Sequence, residues 1–288
     1  MKRYTYTCGI ICSVLLLTGC SKGQAENGPM PSEDFLIIAH RGASAYVAEN
    51  SLASFELADE LAADYIELDI HLTKDGQLAV MHDADVSGTT EANGKIGELT
   101  LSELKELSVN FRHKDENKKA VNGPSEEYAV PTLGEVFGQF GDNMNFIIEL
   151  KDPEDYPGIE EKLVDALKEQ DMIGFDKDSH PKVAIQSFSK KGLKRVHELN
   201  QDIPLLKLIS FDDDDEAKLS KKELDELLTY ASGLGVSYEA LTVPFIEKMH
   251  EEGLMVYAYT IIDAETALKL KAIGANGIHT DRPDILDK

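Results

Sequence analysis

Short aliphatic and β-branched runs recur along the chain, separated by stretches whose apolar residues return every three or four positions. The runs at 35–40, 65–70, 78–82, 146–150, 183–188, 205–209, 234–238, 255–260 and 277–280 have the length and composition of strands. Helical periodicity covers 51–62, 158–170, 190–200, 221–230, 244–252 and 264–273. Such alternation predicts an α/β fold with a mainly parallel sheet, and a chain of 288 residues suits a closed TIM (β/α)8 barrel. Nine candidate strands compete for eight places. The odd one lies in "DIHLTKDGQLAVMHD", where Lys74-Asp75-Gly76 makes a tight turn and no helix intervenes. A hairpin there would be antiparallel, and the pattern alone does not decide. Residues 83–130, with Gly88, Gly94, Gly97 and the charged loop "FRHKDENKKAVNGPSEEYAV", break the alternation. They predict a small inserted subdomain after the third strand, with a helical patch at 101–107.

The ends change the picture. Lys2 and Arg3 precede an apolar stretch at 10–17 that is too short to span a bilayer, followed by Leu17-Thr18-Gly19-Cys20. This resembles a bacterial lipobox, so residues 1–19 are expected to be a lipoprotein signal peptide and Cys20 the lipidation site. Cys8 and Cys12 leave with the leader, so no disulfide within one chain is expected. Residues 20–33 are polar, Gly- and Pro-containing, and expected to be a lipid-anchored tether. As a coil that tether spans roughly 20 Å, and about 45 Å fully extended. The expected product is an extracytoplasmic, membrane-anchored lipoprotein whose domain occupies residues 34–288. A net charge of −24 disfavours nucleic acid and anionic bilayers as direct partners, leaving the anchor as the membrane contact. The acidic run at 212–216 reads as a solvated loop.

Chemistry collects at the predicted C-terminal strand ends, where barrel strands face a common site. The first strand brings His40 and Arg41, the second Glu67 and Asp69, the third His82, and the fourth Glu149 and Lys151. The fifth offers Gln186 and Phe188, and the eighth Tyr257 and Tyr259. Each pair has a plainer reading alone: a solvated strand face, a turn, an ion pair, core aromatics. Barrel strands are covered on both faces, however, and burying so many ionisable groups with nothing to organise them is costly. Glu67, Asp69 and Glu149 offer three hard oxygen donors, suited to one divalent cation, with Ca2+ favoured and Mg2+ possible. Zn2+ suits them less, although the histidines keep it open. Three carboxylates, the cation, Arg41 and Lys151 leave one net positive charge, which matches one phosphodiester. His40 and His82 could form an acid/base pair flanking the phosphorus.

"HRGASAYVAENS", "IELDIHLTKDGQLAVMHD", "LTLSELKELS", "VPTLGEV", "IIELK", "QSFS" and "GANGIHTDRP" together resemble the glycerophosphodiester phosphodiesterase family from about Phe35 to Pro283. The likeness is greatest to its secreted bacterial members, a branch that "DYPGIEEKL" also fits. The resemblance implies a distorted TIM barrel and hydrolysis of small-molecule glycerophosphodiesters to sn-glycerol 3-phosphate and an alcohol. It implies His40 and His82 as catalytic residues, Arg41 and Lys151 as phosphate contacts, and Glu67, Asp69 and Glu149 as metal ligands. It further implies Phe188 and Tyr259 as aromatics against the glycerol moiety. Glu49 and Asn50 match a family signature and read as supports of the first loop. The chain departs at Val86-Ser87-Gly88-Thr89-Thr90, which lacks an expected arginine, at Tyr259-Thr260-Ile261-Ile262, which lacks Trp and Asn, and at Ala48 in place of Pro. These departures bear on what lies beyond the glycerol phosphate. Rival readings are action on intact phospholipid, action on wall glycerophosphate polymers, and phosphodiester binding without cleavage.

Overall fold

The computed structural model describes residues 30–31, 35–109, 128–141, 143–212 and 215–286. The signal peptide, Cys20, most of the tether and the middle of the charged loop after the third strand lie outside the described residues. The elements run β1 (Leu36–Ala39), α1 (Leu52–Glu60), β2 (Tyr65–Leu72), β3 (Leu78–Val80), α2 (Leu101–Lys105), β4 (Ser108–Val109) and β5 (Tyr128–Ala129). Then follow α3 (Leu133–Phe140), β6 (Phe146–Leu150), α4 (Ile159–Glu169), β7 (Val183–Ser187), α5 (Lys190–Leu199) and β8 (Leu205–Ile209). The chain closes with α6 (Lys221–Leu227), β9 (Gly233–Ser237), α7 (Val243–Glu251), β10 (Met255–Ile261), α8 (Ala264–Ala272) and β11 (Gly277–Thr280).

Among the described residues, β1, β2 and β6 to β11 form eight parallel strands, and β1 pairs with both β2 and β11, which closes the barrel. The ninth candidate strand, β3, lies outside it. β2 runs on past the barrel wall and β3 returns antiparallel, with Ile70 opposite Val80 and Leu72 opposite Leu78. Gly76, at φ +77, makes the turn at no steric cost. His82 therefore reaches the mouth from above, on a returning strand.

Side chains alternate along each strand, so one set packs under the helices and the other fills the barrel. Leu36, Ile38, Tyr65, Ile147, Ala184, Leu206 and Tyr257 fill the N-terminal end. Met30, 3% exposed, packs with them, so the segment expected to be tether already contributes to the barrel floor. Above this apolar plug the inward positions turn polar. Asp69 pairs in register with Glu149, and Glu149 with Gln186, which places the three on one layer. The insertion has its own small core, in which Met81, Val86, Ile96, Leu104 and Val130 pack over Ala79. The helix α3 was not expected from the periodicity. Thr132 and Glu135 close a reciprocal cap at its start, and Leu133, Val136, Phe137 and Phe140 bury its face.

Candidate active site

β1 ends at Ala39, and the pairing with β11 persists one residue further, His40 N–H donating to Thr280 O (2.9 Å). Arg41 and Gly42 then both take left-handed backbone, φ 57 and 81. This turn aims the Arg41 N–H at Glu67 Oε2 (2.8 Å) and its guanidinium at Glu49 Oε1 (2.9 Å) and Asp69 Oδ2 (3.6 Å). Asn50 donates from its side chain to Asp69 Oδ2 (2.9 Å) and accepts the Asp69 N–H (3.3 Å). Glu49 and Asn50 thus hold the arginine and a carboxylate as well as shaping the first loop.

Glu67, Asp69 and Glu149 converge, each offering an oxygen within 4.8 Å of the others, and all three are buried. Gln186 donates to Glu67 Oε1 (3.1 Å). The Lys151 ammonium sits beside Glu149 Oε1 (2.8 Å) and Asp69 Oδ1 (3.6 Å) and donates to His82 Nε2 (3.1 Å). Both candidate histidines are gripped at the same ring atom: His40 Nδ1 by Asp281 Oδ1 and His82 Nδ1 by Asp83 Oδ1, each at 2.7 Å. His40, Arg41, His82, Glu149, Lys151, Phe188 and Tyr259 line one cavity of about 220 Å3. Glu67 and Asp69 lie in the buried wall beside it. Phe188, 50% exposed, meets Tyr259 edge to face at the rim (6.2 Å between centroids), and Tyr259 donates to Ile209 O (3.0 Å). The structure brings His40, Arg41, Glu67, Asp69, His82, Glu149, Lys151, Gln186, Phe188 and Tyr259 into one place. Tyr257, the other aromatic of its strand, belongs to the barrel floor.

Residues 40–285 match the glycerophosphoryl diester phosphodiesterase family. The chain belongs to that family. It is 37% identical over 266 residues to the glycerophosphodiester phosphodiesterase of Bacillus subtilis, covering 92% of this chain and 89% of that protein. An Oleispira antarctica phosphodiesterase, solved with the product sn-glycerol-3-phosphate, is 29% identical with a TM-score of 0.69, covering 86% and 93% of the two chains. The glycerophosphodiester phosphodiesterase of Thermotoga maritima is 26% identical with a TM-score of 0.65, covering 88% and 96%. The protein is accordingly an enzyme, a phosphodiesterase of glycerophosphodiesters.

In this phosphodiesterase, burial, then Asp69 and Glu149, push the Glu67 carboxyl well above its usual range. Burial and then Asp69 push Glu149 up to about 7. Burial also works against Asp69, but Arg41, Lys151, His82 and Asn50 outweigh it and bring Asp69 down to about 2. The neighbours of Asp69 outweigh its burial, and those of Glu67 and Glu149 do not. Arg41 Nε and Gln186 Oε1 are buried without hydrogen-bond partners among the described residues. The three converging carboxylates fit a hard divalent cation, which would let them ionise together.

The sequence reading passed over Asp83 and Asp281 as site residues. Their signal was slight: an acid directly after His82 and another one residue past the end of β11. His279 also faces the cavity, 1% exposed, its Nε2 unpaired among the described residues. Burial, then His40, pushes it down to about 3, so it stays neutral at ordinary pH.

Proposed function

We propose that this phosphodiesterase binds one divalent cation, Ca2+ in preference to Mg2+, and hydrolyses glycerophosphodiesters of small alcohols to sn-glycerol 3-phosphate. The observation that supports this best is the buried triad Glu67, Asp69 and Glu149 set between two carboxylate-held histidines and the cations Arg41 and Lys151. The cation would be held by the triad and would polarise a phosphoryl oxygen. Arg41 presents a forked donor pair to the remaining phosphate oxygens and Lys151 a point charge.

His82 acts as the base. It takes the proton of the hydroxyl that attacks phosphorus, that of water or of the glycerol 2-hydroxyl, as the P–O bond to the departing alcohol breaks. Asp83 holds the proton on Nδ1, and Nε2 accepts from Lys151 and is therefore unprotonated. Burial, acting first, pushes its pKa below the ordinary histidine value, which keeps it neutral. His40 is the acid that protonates the departing alcohol, its ring oriented by Asp281 at Nδ1. Phe188 and Tyr259 supply an apolar rim against the glycerol carbons. The enzyme works outside the cytoplasm, held by a lipid on Cys20, a reading supported by the leader sequence that ends there. No helix of the described residues is long and apolar enough to cross a membrane.

The test is release of glycerol 3-phosphate from glycerophosphocholine by the mature protein, with EDTA, with Ca2+ or Mg2+ restored, and with His40→Ala. Chelation should abolish turnover, one metal restore it, and the substitution remove it. Turnover that persists in EDTA would overturn the metal. A folded, metal-loaded protein inert on this diester would shift the substrate to glycerophosphate polymers.

A further inference from the structure

The base reaches the mouth on a strand that does not belong to the barrel. One edge of β3 pairs with β2, and on the other Val80 N–H donates to Pro131 O (2.9 Å). Past the end of β3, Met81 N–H donates to Asp69 O (3.1 Å). His82 O then accepts from the ring of His71, with Nε2 at 3.0 Å. A carbonyl oxygen can only accept, so this bond places a proton on His71 Nε2. His71 is fully buried in the part of β2 that runs beyond the barrel wall, two residues past Asp69. Its ring meets Tyr156, in the connection from β6 to α4, edge to face with 5.3 Å between centroids.

We propose that His71 is a positioning residue, which holds the main chain of His82 at the height from which its ring takes the attacking proton. The inference rests on the reading of His82 as the base. The ring's own bonds cannot set that height. Asp83 is the next residue of the same loop, so its bond to Nδ1 fixes the angle of the ring and not the place of the loop. Lys151 donates to Nε2, but the substrate phosphate draws off the lysine and the incoming hydroxyl takes that nitrogen. The bond from His71 goes to a main-chain oxygen that plays no part in the reaction, so it persists through turnover. Filling space explains the residue less well. His71 Nδ1 is buried with no hydrogen-bond partner among the described residues, a cost that an aliphatic or phenyl side chain beside Tyr156 would not carry. What those side chains lack is the donor at Nε2.

Substitutions at His71 separate the donor from the ring. Gln carries an amide nitrogen close to the place of Nε2, Asn carries one close to that of Nδ1, and Phe keeps a ring without a donor. The mature protein and each variant are assayed with the cation that supports turnover, and thermal unfolding gives the folded fraction. His71→Phe and His71→Asn should lower kcat by about 10–100-fold with KM little changed, as for a base displaced by up to about 1 Å. His71→Gln should stay within about threefold of the wild type. Cation affinity, titrated by calorimetry, should be unchanged in all of them. A wild-type kcat in the folded Phe or Asn variant, or a loss in His71→Gln as large as in His71→Asn, would overturn the positioning role. The Asn and Gln variants decide the matter should the Phe variant not fold. A fall in cation affinity that matches the fall in kcat would also overturn it, because His71 would then act through Asp69. In the wild type, long-range proton–nitrogen correlation of the histidine rings should find His71 protonated at Nε2, and a bare Nε2 would remove the bond. A second diester, glycerophospho-p-nitrophenol, keeps this inference apart from the reading of His82. Its leaving group departs without an acid, so a misplaced base still slows it and a missing acid does not. Loss in His71→Phe on both diesters supports the positioning of a base. Loss on glycerophosphocholine alone would make His82 the acid, still positioned by His71, and overturn only its reading as the base.

Discussion

Asp83 and Asp281 do the same work on two histidines that approach from different elements. Each accepts from Nδ1 at 2.7 Å, which fixes the tautomer and leaves Nε2 as the working nitrogen. An amide in place of Asp83 could donate to Nδ1 and favour the wrong tautomer. Asp83→Asn should therefore lower kcat on the order of 100-fold or more with KM little changed, by analogy with other carboxylate-held catalytic histidines. Steady-state kinetics on glycerophosphocholine decides it, and a wild-type kcat would show that Asp83 does not orient the base. Asn50 acts on the other half of the site. It anchors Asp69 through its side chain and through the Asp69 N–H. Asn50→Ala should weaken cation affinity by about 10–100-fold, measured by calorimetric titration of the metal-free protein. Unchanged affinity would mean that Asp69 is held well enough by Arg41 and Lys151.

The connection from β1 to α1 sets His40, Arg41 and, through Arg41, Glu67. Its turn depends on Gly42, at φ +81, where an added Cβ would fall 2.5 Å from Ser54 Oγ and 2.7 Å from Ser54 O. Ser54 is itself fixed, since it completes the reciprocal cap with Ser51 at the start of α1. Gly42→Ala should cost about 1–3 kcal/mol of stability and reduce activity with it, read by thermal unfolding and turnover on the same samples. A neutral substitution would mean that the turn can open without moving Arg41. At this scale the eight barrel strands were legible in the sequence because buried parallel strands are nearly continuous apolar runs bounded by turns. The candidate residues were legible because acids and histidines stood where those runs ended. The direction of β3 was not, because Leu78-Ala79-Val80 reads the same in a parallel strand and in an antiparallel return. α3 escaped because it is short and carries Gly134 and Gly138, which weaken a helical signal. Asp83 and Asp281 escaped for a different reason. An acid in a loop declares itself only by what it touches, and Asp281 touches a residue 241 positions away.

For the whole molecule the buried carboxylates tie stability, pH and metal together. Glu149 lies at about 7 in the fold against an ordinary 4.5, and Glu67 is displaced in the same direction, both chiefly by burial. The folded protein therefore holds these protons more tightly than the unfolded chain does. Their contribution to stability is complete below the ordinary carboxylate value and is lost as pH rises through 7. Asp69 runs the other way, contributing above 3.8 and losing its share as pH falls through about 2, outside the working range. A divalent cation must displace the protons on Glu67 and Glu149, so its affinity rises with pH across the window in which the metal-free protein weakens, by up to about tenfold per pH unit for each proton displaced. The Tm of the metal-free protein should thus fall between about pH 5 and pH 8, and the gain in Tm on adding Ca2+ should grow over the same interval. Scanning calorimetry with and without Ca2+ at both ends of the window measures both effects. Glu149→Gln should flatten the fall, because the amide has no proton to lose, and this separates the triad from the general self-repulsion of a chain with net charge −24. A Ca2+ gain that is the same at both pH values would mean that the cation does not bind at these carboxylates.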